Sequence, residues 1–371
     1  MSQLFQPMRI GNLQLDNRII IAPMCQYSAE DGTPGDWHLI HLGHLALSGA
    51  GMMILEATAV APEGRISPAD LGLYSDANED GLARVLAAIR NHSPIRIGMQ
   101  LGHAGRKASS RAPWEGGSQI RPGEPGGWKA LAPSALPHAT GEDVPLALDA
   151  AGLARVRAQF ADAARRAARL GLDGIELHAA HGYLMHQFLS PLANQREDDY
   201  GGSLANRMRF PLEIFSVVRD AFPADRPVWA RVSATDWVPG GWDIDGTVAF
   251  AQALEQLGCA AIHVSSGGVS PQQDIRLGPG YQVSYAQRVK AETGMPTIAV
   301  GLITEPDQAE SIIAGGQADA VSLARAILFD PRWPWHAAAK LGGRVPAPKQ
   351  YWRSQPRESK DLFDKASFGA R

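Results

Sequence analysis

Arg18-Ile19-Ile20-Ile21-Ala22 runs directly into Pro23-Met24-Cys25-Gln26-Tyr27, and the join between the two decides which architecture the chain takes. The first five residues have the β-branched, apolar character of a strand buried on both faces. The loop after them contains no glycine-rich turn. A doubly wound sheet that binds a dinucleotide would carry Gly-x-Gly-x-x-Gly here, so that main-chain amides approach a pyrophosphate at a helix N-terminus. Its absence favours the other arrangement of alternating strands and helices, a closed (β/α)8 TIM barrel.

Seven further strand-like runs extend the pattern, at 52–57, 95–100, 174–178, 228–232, 261–265, 297–300 and 320–323. Amphipathic stretches rich in Ala and Leu lie between them, predicting helices at 39–48, 81–91, 153–170, 205–221, 247–257, 284–293 and 305–314. An α/β barrel is therefore expected over 1–335, with a C-terminal tail at 336–371. Trp333, Trp335, Tyr351 and Trp352, in and just before that tail, predict docking onto a surface. Two Pro/Gly-rich insertions, 109–144 and 238–246, lie after the third and fifth strands, on the face where barrel enzymes build their sites, and are expected to cover it.

Composition narrows the function. Lys and Arg number 35 against 38 Asp and Glu, a formal charge of −3, and no basic run is long enough to neutralise a polyphosphate backbone. Nucleic acid is not an expected partner. Cys25 and Cys259 stand far apart, with no Cys-x-x-Cys pair to hold a metal or iron–sulfur cluster. The N-terminal residues lack a basic region leading into an apolar stretch, and no window of about 20 residues is free of charge. The expectation is a cytoplasmic protein with no membrane partner.

The strand ends carry the chemistry. The fourth strand closes on Glu176-Leu177-His178, and Ala-Ala-His181-Gly-Tyr183 comes next. Two imidazoles three residues apart can aim donors at one anionic point; with a third ligand such as Glu176 they can also hold a metal. Gln100 ends the third strand and Arg231 lies near the end of the fifth. With the Pro-Met-Cys segment they suit the edge of a planar heterocycle carrying carbonyls and ring nitrogens, as in a flavin; Arg231 can equally form an ion pair on the barrel floor. Strands six to eight end in Ser265-Ser266-Gly267-Gly268, Val300-Gly301-Leu302-Ile303 and Ala324-Arg325. Small residues beside a cation suit a phosphate, which such barrels commonly hold after strands seven and eight.

Taken together, Ala22-Pro23-Met24-Cys25-Gln26-Tyr27, Gln100-Leu-Gly-His103-Ala-Gly-Arg106-Lys107, His178-Ala-Ala-His181-Gly-Tyr183 and Asn194-Gln-Arg196-Glu-Asp-Asp-Tyr200-Gly-Gly-Ser203-Leu-Ala-Asn206-Arg207 resemble the old yellow enzyme family of FMN-dependent ene-reductases. The likeness runs in order from Leu4 to Arg353. The cysteine in the first loop places it with the YqjM and xenobiotic reductase branch.

The resemblance implies bound FMN and NADPH, rather than NADH, as hydride donor to an NADPH dehydrogenase or ene-reductase. The substrates would be α,β-unsaturated carbonyl or nitro compounds. Pro23, Met24 and Cys25 would line the flavin, with Cys25 tuning its potential. Ala57 and Gln100 would bond the pyrimidine ring, and Arg231 would stabilise negative charge there. Gly267, Gly301, Ala324 and Arg325 would hold the phosphate. His178 and His181 would bind the substrate oxygen, Tyr183 would protonate the α-carbon and Tyr27 would touch substrate; no metal is expected. Val300 stands where the xenobiotic reductase type has tryptophan, which implies a pocket shaped like the YqjM type. Gln350-Tyr351-Trp352-Arg353 resembles a tail whose arginine enters a neighbouring subunit's site, implying a homodimer or homotetramer. Relatives with iron–sulfur clusters need a cysteine cluster, and tRNA dihydrouridine synthesis needs a basic surface; this chain has neither.

Overall fold

A computed structural model of the protein describes residues 2–367. Eight parallel strands close into a barrel: β1 (Ile19–Ile21), β2 (Met52–Ala59), β3 (Arg96–Gly102), β4 (Gly174–Ala179), β5 (Val228–Ser233), β6 (Ile262–Ser265), β7 (Thr297–Ala299) and β8 (Ala320–Leu323). Each strand pairs with its neighbour in sequence, and β8 pairs with β1 through Val321 and Ile19. All eight expected strands are present, and each boundary shifts by no more than two residues.

The helices match their sequence signals. α1 (Asp36–Ala46), α2 (Asp76–Arg90), α3 (Ala150–Arg169), α5 (Leu204–Ala221), α6 (Ile244–Gln256), α7 (Val283–Glu292) and α8 (Pro306–Ala314) alternate with the strands, and α4 (Leu184–Leu189) adds one turn and a half after β4. Ser75, Asp149, Ser203 and Asp243 each accept an amide of the next turn, so four helix starts satisfy part of their orphan N–H groups locally. The second insertion therefore ends at Asp243, because the expected loop residues 244–246 form the first turn of α6.

The barrel interior is filled from its floor. Trp229 is fully buried, and its ring occupies space that β-carbons at two glycines would claim: one built on Gly174 would lie 2.4 Å from Trp229, and one on Gly98 2.8 Å from it. Core interiors are close-packed, so the large indole and the two glycines require one another.

An antiparallel hairpin, Met8–Ile10 with Leu13–Leu15, precedes β1 and was not among the expected strands. After β8 come α9 (Arg325–Phe329) and α10 (Trp333–Leu341). α10 crosses the expected 335/336 domain boundary. Beyond it the chain folds back, where Val345, Leu362 and Phe363 bury a small cluster with Ala338, Phe5 and Trp335. Residues 368–371 of the tail lie outside the described residues. Among the described residues no helix is long and apolar enough to cross a membrane.

Candidate active site

At the end of β4 the backbone turns sharply, with φ +57° at His181 and +74° at Gly182. This turn lies against the β6 loop so closely that a β-carbon on Gly182 would sit 2.1 Å from the Gly268 carbonyl oxygen. Lys107 joins the two segments, donating from Nζ to the carbonyls of His181 at 2.9 Å and Gly268 at 3.0 Å. Its ammonium lies 5.1 Å from the centre of the Tyr183 ring, and burial brings its pKa down to about 8.

The two histidines meet. His178 Nδ1 accepts from the Ala180 amide at 3.3 Å, which leaves the proton of the neutral ring on Nε2. That atom lies 3.4 Å from His181 Nδ1, a long contact, and His181 Nε2 lies 2.8 Å from Ser265 Oγ. Tyr183 packs edge-on to His178 at 4.7 Å between ring centres. Desolvation, then the charge of Arg231, holds both imidazoles neutral by pushing their pKa values well below the ordinary histidine range. Desolvation pushes the Tyr183 phenol well above its ordinary value. His178, His181 and Tyr183 thus offer neutral N–H and O–H donors rather than charges.

One helical turn on, His186 supports this turn from below. Its Nδ1 accepts the Gly182 amide at 2.9 Å, and its Nε2 lies 2.9 Å from Asp236, which Ser190 and the Trp242 amide also bond. Gln187 adds a bond to the Gly182 carbonyl. Sequence alone left His186 and Gln187 within a motif without roles; their i, i+4 and i, i+5 spacing to Gly182 was the available signal.

Glu176, two residues before His178, faces into the barrel and is fully buried. It accepts from Gln100 Nε2 at 2.7 Å, Trp229 Nε1 at 2.7 Å and His263 Nδ1 at 2.8 Å. Burial opposes its charge, but His263, Arg231 and Trp229 outweigh that, and its pKa falls below the ordinary carboxylate value. The carboxylate is therefore committed away from the histidine pair. Among the described residues no three His, Cys, Asp or Glu side chains stand together as metal ligands.

Arg231 is buried, takes part in no ion pair among the described residues, and leaves Nε without a hydrogen-bond partner. Of the two sequence readings, the barrel-floor ion pair is thus absent. A buried guanidinium with unanswered donors calls for an external acceptor. Gln100 gives one N–H to Glu176, which leaves its amide oxygen and second N–H for a neighbour.

The first loop completes this side. β2 bulges between Leu55 and Ala57, and Glu56 turns to accept the Gln26 amide at 2.9 Å while meeting His38 at 3.3 Å. Pro23, Met24, Cys25 and Ala57 are all partly exposed at the mouth. Desolvation, with Asp70 and Glu56 adding to it, keeps Cys25 a thiol. Tyr27, at φ +51°, meets Trp114 of the first insertion edge-on at 5.4 Å, so that insertion does reach the mouth.

The expected phosphate residues divide. Gly301, at φ +123°, has no hydrogen-bond partner for its N–H among the described residues, and Arg325 at the start of α9 is exposed with no ion pair there. Ala324 caps α9 beside it. Gly267 differs: its amide bonds the Thr235 carbonyl and its carbonyl accepts from Ser233. Ser265 serves His181, and Ser266 bonds Gln282 at 2.5 Å. The end of β6 thus supports the histidine turn more than it faces a phosphate. Arg353 lies in the exposed turn Lys349–Ser354, in the segment folded against the N-terminal end of the barrel.

Comparison with known proteins adds an independent line. The profile of the NADH:flavin oxidoreductase / NADH oxidase family matches residues 3–342. A protein named NADPH dehydrogenase from Geobacillus thermodenitrificans is 42% identical over 352 residues, covering 94% of this chain and 98% of its own. An NADPH dehydrogenase from Bacillus subtilis is 40% identical over 353 residues, with coverage of 95% and 98%. Among solved structures, morphinone reductase aligns with a TM-score of 0.77 at 29% identity, over 97% of this chain and 96% of its own. The old yellow enzyme homologue from Zymomonas mobilis aligns at 0.75 with 25% identity, over 97% and 99%.

Proposed function

Because this chain belongs to the NADH:flavin oxidoreductase / NADH oxidase family, that of old yellow enzyme, and is an oxidoreductase, we propose that it is an FMN-dependent ene-reductase. Its substrates would be α,β-unsaturated carbonyl or nitro compounds. The observation that carries this reading is the neutral His178–His181 pair with Tyr183 against it, at the end of β4 and beside the unpaired Arg231. Donors without charge bind a carbonyl oxygen and strengthen as negative charge develops on it.

The donor set fits a flavin. Arg231 and Gln100 would meet its pyrimidine edge with Ala57, Pro23 to Cys25 would line the ring, and Gly301, Ala324 and Arg325 would hold the phosphate. Bound there, FMN supplies hydride transfer from NADPH to the substrate's β-carbon. The chain's own residues do the rest. His178 donates from Nε2 to the substrate oxygen. Ser265, at His181 Nε2, holds the second imidazole beside the first, so that both rings stand at that oxygen. Tyr183 gives its hydroxyl proton to the α-carbon, and Tyr27 packs on the substrate from the first loop. A homodimer or homotetramer with Arg353 entering the neighbouring site, working in the cytoplasm, completes the proposal.

The test is anaerobic. The protein is reduced with NADPH or NADH and then mixed with cyclohexenone, maleimide or a nitroester. Reoxidation by at least one of these, with NADPH the faster donor, is the expected result. Protein that stays reduced with all three would overturn the reading.

A further inference from the structure

Tyr183 and His178 line a cavity of about 10 Å³ together with Asp70, Arg65 and His103. That is room for about one water molecule, with Asp70, Arg65, His103 and Tyr183 as polar groups in a mostly apolar wall. Asp70 is 1% exposed. Its Oδ2 accepts the amides of Ile66 at 2.6 Å and Ser67 at 3.0 Å, and Oδ1 meets Ser67 Oγ at 3.0 Å. No cation pairs with it among the described residues. Arg65, the nearest cation in the wall, spends its guanidinium on the carbonyls of Pro62 and Pro68 and on the face of Trp128. A buried carboxyl with no counter-charge, sharing a one-water cavity with the tyrosine of the site, is placed for proton traffic as well as for tying its own loop.

We propose that Asp70 returns a proton to Tyr183 after each turnover, through one water held in this cavity. The inference rests on the reading of Tyr183 as proton donor. In turnover the Tyr183 O–H bond breaks, its proton forms the C–H bond at the substrate's α-carbon, and the electron pair stays on the phenolate. The water gives a proton to that oxygen while taking the carboxyl proton of Asp70. Tyr183 ends as phenol and Asp70 as carboxylate, which regains its proton from solvent. No electrons change hands.

The acidities agree with this direction. Burial, and then Glu56, push Asp70 up to about 7 against the bonds from Ser67 and Ile66, whereas burial makes the phenolate of Tyr183 a far stronger base. The other groups facing Asp70 are Glu56 from β2, Cys25 and Tyr27 from the first loop, Arg65 from its own loop, His103 after β3, and His178. His103 is kept neutral down to about 4 by burial, and the Cys25 thiol and Tyr27 phenol are held protonated. None of these three releases a proton near neutrality.

Asp70→Asn keeps the loop's bonds, since the amide oxygen can accept both main-chain N–H groups and the NH2 can donate to Ser67 Oγ. In the flavin-loaded protein, D70N is expected to leave reduction by NADPH and the first anaerobic turnover with cyclohexenone within about twofold of wild type. Steady-state turnover should fall about tenfold or more, in the range of general-acid contributions. Wild-type turnover should decline as pH rises through about 7, where Asp70 loses its proton. That limb should vanish in D70N and return in D70E. An infrared carboxyl band that titrates near that pH and is missing from D70N gives a readout independent of turnover.

Steady-state rates for D70N within about twofold of wild type at every pH, or no such band, would overturn the relay. Tyr183→Phe separates the two ideas. If Y183F slows the first turnover while D70N is normal throughout, the relay alone fails. If Y183F leaves the first turnover unchanged, the reading of Tyr183 fails and the relay with it.

Discussion

Glu176 and His178 are two residues apart on β4 and both are buried, yet they are treated oppositely. Glu176, one layer down, receives three short donors and has nothing left to offer. His178, at the rim, makes one long bond to its own loop and one long contact with His181. The same contrast holds across the site. Glu176 is closed off by Gln100, Trp229 and His263, while Arg231, His178 and Tyr183 at the rim keep donors in hand. Unmet hydrogen-bonding capacity in a core is costly, so these three neighbouring donors at the rim mark where a ligand supplies what the protein withholds.

The contrast breaks most sharply at Glu176. Glu176→Ala leaves three buried donors unanswered at about 1–3 kcal/mol each, so unfolding by denaturant should show a loss of about 4 kcal/mol or more. A loss under about 1 kcal/mol would mean that the lower layer is no more committed than the upper.

The next effect comes from acid. His178 and His263 are buried with folded pKa values below the ordinary one, so the unfolded chain binds protons that the folded chain does not. A depressed histidine leaves stability intact above its unfolded value of about 6.5 and removes it as pH falls below, by up to about 1.4 kcal/mol per histidine per pH unit. Denaturation midpoints should therefore drop between about pH 6.5 and about pH 5. His178→Asn should flatten part of that slope; a midpoint that is constant over this window would show that the imidazoles are solvated after all.

The smallest effect sharpens the upper layer. Ser265→Ala removes the hydroxyl at His181 Nε2 and should weaken phenol binding severalfold, worth about 1 kcal/mol, with fold stability nearly unchanged. Titration of the flavin charge-transfer band with a phenol would check it, and unchanged affinity would remove Ser265 from the histidine pair.

Much of this was legible in the chain. Apolar runs buried on both faces, each leading to an amphipathic helix, are local signals, and they placed eight strands and seven helices close to where they form. The Pro-Met-Cys loop, the His-x-x-His-x-Tyr turn and the strand-end Gln and Arg were readable because barrel geometry sends strand ends to one face. What the tertiary structure alone decided is which polar groups are spent and which are free. Glu176 meets Gln100 and His263 across 76 and 87 residues, and Asp70 comes to share a cavity with Tyr183 through two separate βα connections. Such pairings leave no period in the sequence, because they are set by the register of strands around the barrel. So Arg231 could be read in two ways from the chain, and only the strand register, which gave Glu176 to His263, left the guanidinium free.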